Sequence, residues 1–108
     1  MNAESDNPDS YYAVIFSSQH GDDDDGYAET AQRMEELARQ QPGFLGIETA
    51  HDAEGFGITV SYWRDLESIR NWKAQPEHLE AQTQGKSLWY SRYRLRIAKV
   101  EREYGWPS

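Results

Sequence analysis

His78 is the residue of this chain best suited to moving a proton, because an imidazole titrates near neutrality and can stand as a free base at physiological pH. It lies six residues beyond Trp72 and four before Gln82. A base beside an indole, with a side-chain amide one helical turn further on, can deprotonate a flat acidic substrate and donate a hydrogen bond to the oxyanion that develops. Trp63, Trp72 and Trp89 are the candidate walls for such a ligand. The same residues also have a structural reading, with His78 as a helix-start or interface histidine and the tryptophans as core. Glu77 and Glu80 flank His78 and are expected to raise its pKa, which would blunt it as a base. His20 and His51 stand beside the turn residues Gly21 and Asp52 and are expected at the surface.

Composition removes several other chemistries. The chain has 108 residues and no cysteine, so disulfides, thiolate metal sites and cysteine nucleophiles are excluded. There is no glycine-rich phosphate loop, no nucleophile elbow and no His/carboxylate cluster at metal spacing, so no metal or cofactor site is expected. The run Asp22–Asp25 invites a cation reading, yet with Gly26 at position 6 of a calcium loop, Gly21 and Gln32 would occupy the ligand positions 1 and 12. Both fail as ligands, and the run is expected to serve as an acidic cap on the following helix.

A net charge of -8 and a pI near 4.7 argue against a nucleic-acid partner. Arg92, Arg94 and Arg96 share one face of the last strand, expected as a solvated or dimer-facing edge, with anion binding as the alternative. Residues 1–10 lack the features of a signal peptide and no apolar run approaches 18 residues, so no membrane segment and a cytoplasmic protein are expected.

The elements that must position His78 follow from periodicity. Residues 56–63 alternate Phe56, Ile58, Val60 and Tyr62 with Gly57, Thr59, Ser61 and Trp63, a strand with two distinct faces. Asp65 is placed to cap a helix carrying Leu66, Ile69 and Trp72 at helical spacing; Pro76 restarts a helix that Leu79 and Gln82 or Thr83 continue and Gly85 is expected to close. Upstream, Tyr11–Phe16 is apolar on both alternating sets, the mark of a central strand. A helix over about 26–41 carries a stripe of Tyr27, Ala31, Met34, Leu37, Ala38 and Gln41, and Pro42-Gly43 ends it. A strand at 44–50 alternates Leu45, Ile47 and Thr49 with Phe44, Gly46 and Glu48, and the short turn 51–55 makes it an antiparallel hairpin with the next. A last strand is expected over roughly 91–102, followed by a Trp106 that should pack on something.

Residues 1–9 read as a flexible tail and residues 10–108 as one domain. The order is strand, helix, strand, strand, helix pair, strand. With right-handed crossovers this predicts an α+β, ferredoxin-like βαββαβ fold: a four-stranded antiparallel sheet with its helices on one face. The other face would lie bare in a single chain, so a homodimer packed sheet to sheet is expected.

The stretches YYAVIFSSQ at 11–19, QPGFLGIE at 41–48, GITVSYWRDLESIRNWK at 57–73, EHLEAQ at 77–82 and YRLRIAKVEREYGW at 93–106 carry a resemblance over nearly the whole chain. It resembles the antibiotic biosynthesis monooxygenase-like family of dimeric α+β barrel proteins. That resemblance implies oxygenases acting on phenolic or quinol substrates without metal or flavin, haem-degrading enzymes, or members with no assigned activity. In the haem-degrading branch an axial histidine follows a helix tryptophan by ten residues and an asparagine stands on the first strand. Here Gln82 and Ile15 occupy those places, which tells against haem. The expectation is a cofactor-independent oxygenase acting on a small aromatic or quinone-type molecule, with His78 as base; the alternative is a family member that binds a small ligand without turnover.

Overall fold

The strand with two apolar alternations, β1 (Tyr11–His20), lies inside the sheet, as cover on both faces requires. In the computed structural model, which describes residues 10–21 and 26–107, the elements that follow are α1 (Tyr27–Arg39), β2 (Phe44–His51), β3 (Phe56–Trp63), α2 (Leu66–Lys73), α3 (Pro76–Gln84), a π-helical turn (Gly85–Trp89) and β4 (Tyr90–Val100). The sheet is antiparallel with order β2-β3-β1-β4, the ferredoxin-like arrangement. The tail expected over residues 1–9 and the Asp22–Asp25 run lie outside the described residues.

Register assigns the faces. Tyr12 pairs with Trp63 and Val14 with Ser61, and Val14 and Trp63 join Leu37, Ala38, Ile69 and Trp72 in one buried cluster. The helices therefore cover the Gly57/Thr59/Ser61/Trp63 side of β3. Phe56, Ile58, Val60 and Tyr62, the more apolar set, point to the opposite, open face with Tyr11, Ala13 and Ile15.

Several local expectations need correction. In β2, Phe44 and Gly46 partner the consecutive residues Trp63 and Tyr62, so Leu45 is a bulge residue. The bulge shifts the alternation by one and turns Phe44 into the core, edge-on to Trp63 at 5.5 Å. On α1, Ala31 is exposed and Thr30 takes its place on the inner stripe. Leu66 is 43% exposed because the buried stripe of α2 runs through Ser68, Ile69 and Trp72. Gly85 stands at the C-cap of α3, as expected, but its φ of -58° is helical and the chain continues directly into the π-helical turn. Its lack of a side chain serves close packing instead, since a Cβ there would sit 2.8 Å from the Tyr90 ring. β4 ends at Val100, and Trp106 beyond it is 92% exposed, so none of the described residues covers it.

Asp65 caps α2 as its residue type suggests. Its Oδ1 accepts from the Ser68 N–H at 2.8 Å and from the Ser68 hydroxyl at 2.6 Å, and these bonds hold its pKa below the usual value. Asp65→Ala should cost about 0.5–2 kcal/mol of stability, read as a lower midpoint in urea with an unchanged slope.

Candidate functional site

A column of three flat side chains runs from the sheet to the start of α3. Trp63, from the end of β3, has no solvent exposure and donates its Nε1–H to the Ser61 hydroxyl at 2.9 Å. Trp72, from the last turn of α2, stacks on it with centroids 5.9 Å apart and planes 23° from parallel. His78 stacks on the outer face of Trp72 at 4.0 Å and 15°. Sequence dictates this approach: Gln75 caps α3 by accepting from the His78 backbone N–H at 2.9 Å, so the helix begins with its first turn over the end of α2.

The same turn fixes the imidazole. His78 Nδ1 lies 2.9 Å from the Trp72 carbonyl oxygen, and a carbonyl can only accept, so Nδ1 carries the proton and Nε2 the lone pair. Gln82 Nε2 stands 3.5 Å from that lone pair, an aligned but long contact. Burial pushes the His78 pKa below 6.5, opposed by the bond to the Trp72 carbonyl, so the ring is neutral at pH 7. The expected upward shift from Glu77 and Glu80 is not found. Glu77 is committed elsewhere: Arg33 of α1 grips it with two bonds of 2.8 and 2.9 Å, which lowers the carboxylate's pKa.

Beside that ion pair, α1 and α3 flank an open cleft of about 180 Å³, lined by Thr30, Arg33, Met34, Glu77, Ala81 and Gln84 among others. It is smaller than the roughly 300–1,000 Å³ of typical ligand sites, and neither His78 nor a tryptophan lines it.

Trp89 stands apart from the column. It is buried at 4% exposure in a second aromatic group, edge-on to Tyr27 at 5.6 Å, and Tyr27 in turn meets Tyr90 and His20. Burial, then a hydrogen bond to Tyr27, pushes the Tyr90 pKa upward. His20 is not the surface residue its neighbours suggested: it is half-buried, and its Nε2 is shut from solvent without a hydrogen-bond partner among the described residues. The signal was present in the strand, because extending the Tyr12/Val14/Phe16 alternation through Ser18 carries His20 to the helix side. His51 is exposed, as expected.

On the open face Tyr11 donates to Glu103 and Tyr62 to Glu48, the latter at 2.8 Å, and the bond to Glu103 pushes the Tyr11 pKa up to about 12. Among the described residues no group of three or more His, Asp or Glu side chains is placed to hold a metal ion, and no helix is long and apolar enough to cross a membrane.

Comparison with known proteins gives three concordant findings. The family model for antibiotic biosynthesis monooxygenase matches residues 10–84. The uncharacterized protein YqjZ of Bacillus subtilis is 53% identical over 93 residues, covering 86% of this chain and 82% of that protein. Among solved structures, SnoaB, a cofactor-independent oxygenase from Streptomyces nogalater, matches with a TM-score of 0.68 at 17% identity over 93% of this chain and 99% of its own. PA3566 from Pseudomonas aeruginosa matches with a TM-score of 0.71 at 12% identity over 88% of this chain and 96% of its own. At these identities the two structures speak to the fold alone.

Proposed function

Since the chain belongs to the antibiotic biosynthesis monooxygenase family, we propose that it is an oxygenase of small, flat phenol- or quinol-type substrates, with His78 as the base. The observation that carries this reading is the stack of Trp63, Trp72 and His78, which holds a neutral imidazole with its Nε2 lone pair 3.5 Å from the Gln82 side-chain nitrogen. The resemblance to a cofactor-independent oxygenase supports it.

The chemistry balances without a further reductant. A methylene flanked by aryl and phenol-bearing rings loses a proton to His78 Nε2, and the resulting carbanion gives its electrons to dioxygen. A carbon-bound hydroperoxide forms, takes up the proton and eliminates water, leaving a carbonyl: one CH₂ and one O₂ become one C=O and one H₂O. The substrate supplies all the electrons. The protein's part is to hold the proton and to orient the substrate against the outer edge of the Trp72–His78 stack. Gln82, whose long contact to His78 costs little to break, donates to the oxyanion. Trp63 buttresses Trp72 from behind, whereas Trp89, buried in the separate group around Tyr27, has no part in this site.

Oxygen-electrode traces with anthrone-type compounds, which carry the required methylene, test the reading: catalysed uptake of one O₂ per substrate, with the carbonyl product by mass spectrometry, is expected, and uptake no faster than buffer across a panel of them would overturn it. One observation favours a second reading, binding without turnover: the open cleft between α1 and α3 is not lined by His78. A raised melting temperature with such compounds and no oxygen uptake would select it.

The same reading has the chain working as a homodimer through the open sheet face. What supports it is the direction of β3, whose Phe56, Ile58, Val60 and Tyr62 set turns away from the helices.

A further inference from the structure

α3 carries the base, yet little packing holds α3. None of the nine residues Pro76–Gln84 is buried, whereas α1 buries Leu37 and Ala38, and α2 buries Ser68, Ile69 and Trp72. A helix of that length is marginal by itself, and helices in proteins draw most of their stability from a packed apolar face. α3 has no such face: Leu79 is exposed, and His78, Ala81 and Gln82 turn only half inward. The seam with α1 does not supply one either, since the open cleft lies where side chains of the two helices would otherwise interdigitate. The lie of the first turn therefore rests on a few directed contacts. Three belong to the α2–α3 corner: the Gln75 cap, the His78 stack on Trp72 and the His78 Nδ1–H bond to the Trp72 carbonyl.

The fourth comes from another element. The Arg33 guanidinium meets the Glu77 carboxylate as a fork, Nε to Oε2 at 2.9 Å and Nη2 to Oε1 at 2.8 Å, so direction as well as distance is fixed. Arg33 lies one turn before the buried Leu37 on α1, and its neighbour Met34 packs against the core cluster. Glu77 immediately precedes His78. A packed helix thus grips an unpacked one at the position next to the base. Both side chains are about half exposed, and ion pairs in water contribute little to the stability of a fold. What this one can do is set the orientation of a single turn.

Orientation matters at His78 because its tautomer hangs on one bond. A tilt of the turn that lengthens the contact from Nδ1 to the Trp72 carbonyl frees the imidazole to exchange tautomers, which takes the lone pair off Nε2. We propose that Arg33 is a positioning residue: by gripping Glu77 it holds the first turn of α3 so that His78 keeps its proton on Nδ1 and its lone pair on Nε2. This rests on the base role proposed above, but the geometry can be read without turnover.

Long-range proton–nitrogen correlation spectra of the imidazoles distinguish a ring nitrogen that carries hydrogen from one that does not, with the exposed His51 as internal reference. In the parent at pH 7.5, His78 should show a protonated Nδ1 and a bare Nε2. Arg33→Gln should draw the two nitrogen signals together as the tautomers mix, with His51 unmoved and the thermal melt within a few degrees of the parent. Glu77→Gln should do the same, and the double variant no more. Arg33→Lys, which keeps the charge without the fork, should recover part of the shift. Arg39→Gln, which breaks the Arg39–Glu35 pair on the same helix, should leave His78 alone. Oxygen uptake by Arg33→Gln should fall about tenfold, in kcat rather than KM. His78 signals that Arg33→Gln leaves in place, or that are already mixed in the parent, overturn the positioning role. So does parent-like turnover by Arg33→Gln in a protein that His78→Ala silences. If the signals shift as expected while His78→Ala keeps its oxygen uptake, Arg33 does hold the ring and the base assignment is what fails.

Discussion

His78→Ala lowers the catalysed rate of oxygen uptake by about 10²–10⁴-fold, the usual contribution of a positioned general base. The variant is informative because little else should change. The capping bond to Gln75 uses the His78 backbone N–H, which alanine keeps. The lost stack on Trp72 is worth about 0.5–1.5 kcal/mol, an effect on stability that a melt reads separately from the rate. If parent and variant consume oxygen equally fast, His78 is structural and the base lies elsewhere.

The pH profile follows from the environment of the same ring. Burial lowers the His78 pKa below 6.5, so the neutral, proton-accepting form persists to lower pH than for a free imidazole. Activity should fall on the acid side with an apparent pKa under 6.5, and the alanine variant should lose that limb. Stability shifts in the same direction. Between the folded pKa and 6.5 the unfolded chain binds the proton more readily than the native one, so unfolding is favoured as pH drops through that window and His78 exerts no penalty above it. Urea midpoints measured from pH 7.5 to 5 should therefore decline more for the parent than for His78→Ala.

What the sequence could say about this site divides along physical lines. The order of elements and the central place of β1 were readable because alternation and capping are local: both faces of Tyr11–Phe16 are apolar, and Asp65 can do little else before a helical run. That Trp72 and His78 would meet was also within reach, since six residues and a restarted helix leave little freedom. Face assignment was harder. On β3 the apolar set turned out to be the one facing away from the helices, because the single fully buried tryptophan, Trp63, outweighs four smaller apolar groups in deciding which side the helices cover. Nothing local records that choice. The same holds for Gly85, whose type suits a helix end but whose reason for being small is the Tyr90 ring reached through the π-helical turn. The withdrawal of Glu77 into a pair with Arg33 is likewise a tertiary fact, fixed by the approach of α1 to α3, residues 44 apart in sequence, and the desolvation of His78 accompanies its seat on Trp72. Charge beside charge along the chain suggested the wrong sign for the His78 shift, because proximity in sequence is not proximity of the interacting atoms.

The column has a base as well as a tip, and its removal should be the more damaging of the two changes to the fold. Trp63→Ala deletes a side chain with no solvent exposure, which touches the core between β3, α1 and α2 and carries the Trp72–His78 stack on its outer side. Truncating a buried tryptophan costs about 3–5 kcal/mol, and the buried Ser61 hydroxyl loses its donor, adding part of the roughly 1–3 kcal/mol of an unsatisfied polar group. Against a total stability of about 5–15 kcal/mol for a domain this size, the variant should melt at least about 15 °C lower than the parent at equal protein concentration. Trp63→Phe separates the two contributions: it restores most of the volume but not the N–H, so it should recover the larger part of the loss while leaving Ser61 unpaired. Should Trp63→Ala melt within a few degrees of the parent, the column is not what organises the core, and His78 would have no rigid platform from which to act.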